Sequence, residues 1–447
     1  MVNATDASAA DAGGGDPRQV LAQAPMTGRQ AIAVAMCVLL NALDGFDVLS
    51  ISFASPGIAA EWGIDRAALG VVLSMELVGM MVGSIILGQV ADRIGRRPTV
   101  VACLLIMALG MVSTTQVGSI GVLAATRLVT GLGIGGMLAV TNALVAEYAN
   151  DKWRGAAVAI MAAGYPVGGI AGGAIASALL VHGDWRHVFW LGAGMTALCL
   201  PLVPLFTPEP VGALLQRRWP DTLERVNRSM AALGHGQVAS LPPVDAVVRK
   251  SSIGELFTRG MAPITVLLTV IYFSQLLTFY FILKWSPKIV ADMGFAPSAA
   301  GGVLVWANVG GLAGSLLYSA LSLKVPMRKL IAGFMVASAV MVAMFGRTSP
   351  DLGTLALAAA AGQFCANGVI VGLYGLVAGS FPTANRAGGT GFVIGLGRGG
   401  AALSPVLGGL LFKAGYSLPA VATIMACGSL VALVALIALP VREAEGH

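Results

Sequence analysis

Twelve long apolar runs constrain this chain more than any other feature. They fall at roughly 30–58, 67–90, 98–116, 119–147, 155–181, 187–206, 261–283, 299–321, 327–346, 353–380, 389–412 and 418–440. Each is close to or above the ~20 residues that a helix needs to cross a bilayer. They are too long and too continuous for barrel strands, which alternate over ~10 residues. The expected fold class is therefore an all-α membrane protein of twelve transmembrane helices. Charged residues make up 11% of the 447 positions, against about 25% in soluble domains, which excludes an ordinary soluble enzyme.

One long polar connection, 208–259, contains five prolines and separates six runs from six. The domain reading is a disordered tail over 1–28, a six-helix bundle over 29–207, a central loop over 208–259 and a second bundle over 260–447. Orientation follows from Lys and Arg placement. With the tail in the cytoplasm, 19 of the 27 basic residues fall on that side and 6 on the other, among them Lys284 and Lys288; Arg127 and Arg398 stay within spans. Both termini are thus expected to be cytoplasmic, in a bacterial inner membrane. The net charge of +6 follows loops and is no nucleic-acid patch. Five cysteines, Cys37, Cys103, Cys199, Cys365 and Cys427, lie in apolar runs without a C-x-x-C pair, so neither a disulfide framework nor a metal site is expected. Nor do His182, His187, His235 and His447 form a ligand cluster.

The first run carries Asn41, Asp44 and Asp47. Asp44 and Asp47 are three apart and share one helix face. A charge at bilayer depth costs at least ~2.5 kcal/mol on insertion scales. That stripe must face a watery cavity or partners on other helices. Two carboxylates one turn apart titrate as a coupled pair, which suits a proton site; the alternative is a structural polar network tying helices together. Glu76 in the second run is a further buried acid, read as structural or gating, with proton relay as the alternative. Arg127, in the fourth run, needs a carboxylate, either the substrate's or one such as Glu147.

An internal repeat supports two related halves. Trp153-Arg154-Gly155 opens the fifth run and precedes Gly164-Tyr165-Pro166-Val167-Gly168-Gly169; Asn385-Arg386-Ala387 opens the eleventh, 232 residues on, and precedes Leu396-Gly397-Arg398-Gly399-Gly400. Repeated halves around a midplane site are a transporter architecture.

Gly88-Gln89-Val90-Ala91-Asp92-Arg93-Ile94-Gly95-Arg96-Arg97, between the second and third runs, resembles the G-x-x-x-D-R-x-G-R-R signature loop of the major facilitator superfamily. The resemblance implies two six-helix bundles around a central cavity. It also implies a conformational latch built from Gly88, Asp92, Arg93, Gly95, Arg96 and Arg97, with Asp92 pairing an Arg or capping a helix. The matching loop of the second half, 322–328, keeps its bases and lacks the acid. Arg127-Leu128-Val129-Thr130-Gly131-Leu132-Gly133-Ile134-Gly135 is similar to the superfamily's R-x-x-x-G-x-G-x-G pattern. The shifted Tyr165-Pro166-Val167-Gly168-Gly169 only partly matches the antiporter signature and argues against drug export.

Leu43-Asp44-Gly45-Phe46-Asp47, with Phe281-Ile282-Leu283-Lys284-Trp285-Ser286-Pro287 and Gly397-Arg398-Gly399-Gly400, resembles the aromatic acid:H+ symporter family. That resemblance implies proton-coupled import of benzoate, a hydroxybenzoate or a related acid, by a monomer that uses the proton gradient and no cofactor. It implicates Asp44 and Asp47 in coupling, with Glu76 as a further candidate, and Arg127 and Arg398 in binding the carboxylate, for which a guanidinium fork is suited, or in pairing with the acids. Aromatic surface would come from Phe46, Tyr280 and Trp306, and polar contacts to ring hydroxyls from Asn142, Gln275, Asn308 and Gln363. A facilitator or exporter of another organic acid, or a non-transporting sensor, are the alternatives.

Overall fold

A computed structural model describes residues 16–181, 183–217, 219–242, 253–258, 260–382 and 386–440. Among these there are fifteen α-helices, one 3-10 turn and no strand. They run α1 (Pro17–Gln23), α2 (Gly28–Trp62), α3 (Arg66–Ile94), α4 (Arg96–Thr115), α5 (Ile120–Tyr148), α6 (Asp151–Leu179) and α7 (Arg186–Phe206). The connection carries α8 (Val211–Arg217), α9 (Thr222–Ala232) and the 3-10 turn Ile253–Phe257. Then follow α10 (Ala262–Asp292), α11 (Pro297–Leu321), α12 (Met327–Phe345), α13 (Leu352–Ser380), α14 (Arg386–Lys413) and α15 (Leu418–Ala438). Twelve of them are long and apolar enough to span a membrane.

Local chemistry starts these helices where the apolar runs begin. Thr27 and Gln30 form a reciprocal capping box on α2, and Asp65, Ser119, Asn150 and Asp351 cap α3, α5, α6 and α13. Each cap supplies an acceptor to a backbone N–H with no partner in its own helix. Once inside hydrocarbon, only a continuous helix satisfies the backbone internally.

Three boundaries differ from the sequence reading. The tail is not featureless from residue 16 on: Asp16 accepts from the Arg18 N–H and starts α1, and Asn150 Nδ2 donates to the Ala24 carbonyl at 2.9 Å. Residues 1–15 and 441–447 lie outside the described residues, as do His182, Arg218, Arg249, Lys250 and Arg259. The connection is partly folded against the first bundle, where Arg29 Nη1 donates to the Ala231 carbonyl at 2.8 Å and Ser229 Oγ to the Glu209 carbonyl at 2.7 Å. The seventh span does not end at 283: α10 continues through Pro287 to Asp292, because a proline within a long helix held by neighbours need not stop it. Lys284 and Lys288 therefore sit on that helix, not in a loop.

Helices α2–α7 pack together, as do α10–α15, and in each half the first helix lies along the fifth. Glycine makes both approaches possible. A Cβ on Gly168 of α6 would fall 1.7 Å from the Ala42 carbonyl oxygen of α2, and one on Gly400 of α14 1.9 Å from the Phe273 carbonyl oxygen of α10. These glycines are the structural content of the sequence repeat.

The halves meet through α3 with α14, α6 with α11 and α2 with α10. Bridging polar contacts gather on the side away from the termini. Arg66 Nη2 reaches Asp292 Oδ2 at 2.9 Å, Lys413 Nζ reaches Asp65 Oδ2 at 2.8 Å, and Ser74 Oγ donates to the Ala402 carbonyl at 2.6 Å. Among the described residues, no hydrogen bond or ion pair joins the spanning helices of the two bundles at the end that carries the termini. These polar contacts pin the cleft between the bundles on the side away from the termini.

Candidate functional site

Five charged side chains are fully or almost fully buried among the described residues: Asp44, Asp47, Glu76, Arg127 and Lys284. They converge from α2, α3, α5 and α10. Glu76 lies between two cations, with Oε1 3.7 Å from Arg127 Nη1 and Oε2 3.5 Å from Lys284 Nζ. Lys284 also donates to the Val48 carbonyl at 2.5 Å, so one ammonium of the second bundle ties two helices of the first. Asp47 faces Glu76 and Arg127 electrostatically, and Asp44 faces Asp47 and Arg398. Among the described residues, none of the four carboxyl oxygens of Asp44 and Asp47 has a hydrogen-bond partner of good geometry, and Thr196 of α7 is the hydroxyl that lies near Asp47.

The acidic stripe faces partner helices in this conformation, not the cleft. Asn41 Nδ2 donates to the Met161 carbonyl of α6 at 2.6 Å. An added Cβ on Gly192 of α7 would lie 3.1 Å from Asp47 Oδ1. Both aspartates are sealed beside the interior of the first bundle.

Arg127 is likewise turned into that bundle. Its Nη2 donates to Thr114 Oγ1 at 2.6 Å, Thr130 Oγ1 at 3.0 Å and the Gly110 carbonyl at 3.3 Å, and its guanidinium lies 4.7 Å from the Phe189 ring centre. Glu147, the sequence candidate for its partner, pairs instead with Arg96. Arg398 differs. It is half-buried, and its Nη1 has no hydrogen-bond partner among the described residues. Its electrostatic neighbours are Asp44, Tyr272 and Tyr280. Glycines on either side permit that placement: a Cβ on Gly397 would lie 2.5 Å from the Tyr272 ring.

Two tyrosines, Tyr272 and Tyr280, neighbour this guanidinium electrostatically, and each has a further tyrosine beside it. The rings of Tyr272 and Tyr374 are 6.1 Å apart, Phe279 and Tyr280 are 5.2 Å apart edge to face, and Tyr165 of α6 neighbours Tyr280 across the bundle interface. Sequence reasoning named Tyr280 and passed over Tyr165, Tyr272 and Tyr374. The usable signal was the α10 spacing: Tyr272 and Tyr280 are eight apart, on one face.

Other sequence candidates are dispersed. Trp306 is 57% exposed and shares the outer apolar stripe of α11 with Leu317, eleven residues on, so it faces lipid and not the cleft. Gln275 points into the second bundle, accepting from Ser429 Oγ at 3.0 Å, and Gln363 Nε2 donates to the Phe279 carbonyl at 2.9 Å. Phe46 packs on Gly172 of α6. Asn308 sits at the bundle interface, its Oδ1 2.7 Å from where a Gly169 Cβ would be. Asn142 is exposed on the α5 face opposite Val122 and Val129, with Nδ2 bonded to the Leu138 carbonyl at 2.7 Å.

The signature loop is clamped within its own bundle. Glu209, after α7, takes the Arg96 and Arg97 backbone N–H groups at 2.7 and 2.9 Å and so caps α4, the favourable end of the helix dipole for an anion. The Asp92 side chain, expected to cap or pair, is exposed, and among the described residues it is the Asp92 carbonyl that is engaged, by Arg217 Nε at 3.3 Å. Arg96 pairs with Glu147, Arg97 Nη2 donates to the Pro204 carbonyl at 2.6 Å, and Gly95 has φ 123°, a left-handed value that suits glycine. Gly88 meets only Ala139 of the same bundle, and Arg93 is exposed. In this conformation the loop shows no bridge to the second bundle among the described residues.

Known proteins resemble this arrangement. The model of the Major Facilitator Superfamily matches residues 37–301 and 268–447. The chain is 30% identical over 423 residues to the 3-(3-hydroxy-phenyl)propionate transporter of Escherichia coli, covering 93% of this chain and 96% of that protein. It is 29% identical over 405 residues to the 4-hydroxybenzoate transporter PcaK of Pseudomonas aeruginosa, covering 89% and 90%. With the gallate transporter of Pseudomonas putida it shares 27% over 418 residues, covering 93% and 92%. In fold it is similar to the xylose transporter XylE from E. coli in a partially occluded inward open conformation, with TM-score 0.75 at 16% identity, covering 94% of this chain and 100% of that one.

Proposed function

The chain belongs to the Major Facilitator Superfamily, and on that premise we propose that it imports an aromatic carboxylate together with protons. Relatives similar along nearly their whole length are named as transporters of gallate, 4-hydroxybenzoate and 3-(3-hydroxy-phenyl)propionate. The observation that carries the reading is Arg398. It is a guanidinium at the meeting of the bundles, with an unmatched Nη1 donor and tyrosine rings beside it. A substrate carboxylate supplies the missing acceptor, and the rings supply flat apolar surface for its aryl group.

Coupling rests on the same geometry. Asp44 and the substrate anion compete for one guanidinium. When the substrate takes Arg398, Asp44 loses its nearest counter-charge in a dry site, and a proton replaces it. Glu76, held by two cations, keeps Arg127 and Lys284 in place while Asp44 and Asp47 take up and release the proton. The protein loads from the periplasm, rocks about the interface between its two six-helix bundles, and releases into the cytoplasm through the cleft on the terminal side. The proton gradient is the energy source, no cofactor takes part, and one monomer suffices. One proton per carboxylate is electroneutral; a second draws on the membrane potential at ~2.3 kcal/mol per charge per 100 mV.

Uptake into proteoliposomes tests this. Labelled 4-hydroxybenzoate is competed by benzoate, gallate and 3-hydroxyphenylpropionate, and by their amides, with and without an uncoupler. Competition by the acids alone, with accumulation abolished by uncoupling, is expected. Accumulation that survives the uncoupler, or equal competition by the amides, contradicts the reading.

A further inference from the structure

Beneath the first bundle, on the side of the termini, lies a cavity of about 740 Å³ remote from the central cleft. Its wall carries five guanidinium groups: Arg29 of α2, Arg97 of α4, Arg217 of α8, and Arg225 and Arg228 of α9, with Trp219 beside them. Its one carboxylate, Glu209, is turned onto the α4 N-terminus and engaged there. The remaining wall is apolar and opens outward. Ile32, Ile94, Leu205 and Phe206 line it and are 49%, 52%, 71% and 43% exposed. They are the ends of spanning helices, so this surface continues the lipid-facing side of the bundle.

We propose that this cavity binds the phosphodiester headgroup of an anionic phospholipid, with an acyl chain along the Ile32, Ile94, Leu205 and Phe206 wall. A free anion has no use for four exposed apolar side chains, and a zwitterionic lipid leaves the surplus of positive charge unmatched. Arg29, Arg97 and Arg217 are committed to the fold: Arg29 donates to the Ala231 carbonyl at 2.8 Å, Arg97 to the Pro204 carbonyl, and Arg217 to the Ala91 carbonyl at 2.7 Å. Arg225 and Arg228 are held only by exposed pairs with Asp221 and Glu224, which contribute little and are readily exchanged for a phosphate. Arg225 also stacks 4.3 Å over Trp219, which places a fluorophore at the headgroup. Basic pockets at this level of the bilayer are chemically suited to acidic headgroups. Occupancy would join the α8–α9 segment to α2, α4 and the membrane surface at one point.

The test uses the full chain, delipidated in non-ionic detergent, titrated with acyl-brominated phosphatidylglycerol or phosphatidylcholine. Quenching of Trp219 is read as the difference from a Trp219→Phe chain. Phosphatidylglycerol should quench at far lower concentration than phosphatidylcholine. A basic residue near the surface is worth about fivefold in binding, so Arg225→Gln/Arg228→Gln should weaken it about 25-fold, and the corresponding Lys pair should retain most of it. Should the Gln double variant fail to fold, Arg228→Gln alone, a 74% exposed side chain, should still weaken binding about fivefold. Equal quenching by both lipids, or Gln variants that bind as tightly as the parent, overturns the proposal. Displacement by inorganic phosphate at the lipid's own concentration also overturns it, by showing an anion site indifferent to the acyl chain.

Discussion

Lys284 of α10 reaches out of its own bundle to Glu76 of α3, Nζ to Oε2 3.5 Å, and to the Val48 carbonyl of α2 at 2.5 Å. Both side chains are fully buried. This is the one buried ion pair between the halves among the described residues, and it joins the pinned side of the cleft to the acids of the first span. Its loss should not be symmetric. Glu76→Gln leaves Lys284 without a carboxylate and Arg127 with Asp47 alone, whereas Lys284→Met leaves Glu76 still paired with Arg127. Stranding a buried charge costs roughly 3–5 kcal/mol. Thermal unfolding in detergent should therefore show Glu76→Gln as the more damaged, with the Glu76→Gln/Lys284→Met double variant recovering part of the loss. Equal damage from both single changes would contradict the shared-carboxylate arrangement.

Helix contact through glycine gives a second expectation. A Cβ at Gly168 meets the Ala42 carbonyl at 1.7 Å, while one at Gly194 of α7 meets nothing within 4 Å. Gly168→Ala must push α2 and α6 apart, and overpacking costs about 1–3 kcal/mol or more where backbone is the obstacle. Gly194→Ala should instead be neutral or stabilising, by up to about 1 kcal/mol, since alanine is the better helix former. Melting temperatures of the two variants check the contrast.

At Arg398 the expected signature is kinetic. Arg398→Lys keeps a charge but loses the planar fork. One charge-assisted hydrogen bond is worth ~1.5–3 kcal/mol, so KM for an aromatic carboxylate should rise about 10- to 100-fold, while an Arg398→Gln chain should lose measurable uptake. An unaltered KM in the Lys variant would move the carboxylate site elsewhere.

Acid should loosen the segment docked under the first bundle. His235 Nε2 sits 3.0 Å from Gln30 Oε1, and burial holds the imidazole below its usual value of 6.5. The folded form thus resists the proton that the free segment accepts. Docking is full above pH 6.5 and weakens as pH falls below it toward the lowered folded value. Hydrogen exchange over 222–235 should quicken between pH 7 and about pH 5.5, beyond the intrinsic trend, and a His235→Gln chain should lack that extra step.

Much of this was legible in the sequence because a bilayer leaves few choices. Apolar run length placed the twelve spanning helices within a few residues, with one large exception at α10. There the apolar run stops at 283, before Lys284, although the helix continues through Pro287 to Asp292. That error moved Lys284 from the centre of the network to a loop and hid half of the Glu76 environment. Which way a side chain points could not be read from spacing alone. Trp306 and Asn308 are two residues apart, yet one faces lipid and the other the bundle interface. Arg127 and Arg398 both promised a carboxylate partner, and only packing showed that Thr114, Thr130 and Glu76 engage the Nη1 and Nη2 groups of the first, with its Nε alone left without a hydrogen-bond partner among the described residues. Glu209 as the cap of α4 lies over a hundred residues from its target, beyond any local motif.

The central claim is that a proton on the Asp44 and Asp47 pair accompanies an anion held by Arg398. Its most direct test is accumulation of a labelled aromatic carboxylate in proteoliposomes under an imposed pH gradient, with counterflow exchange measured alongside. Asp44→Asn should abolish accumulation above equilibrium while exchange of internal for external substrate continues. Gradient-driven accumulation equal to that of the unaltered chain would contradict the account.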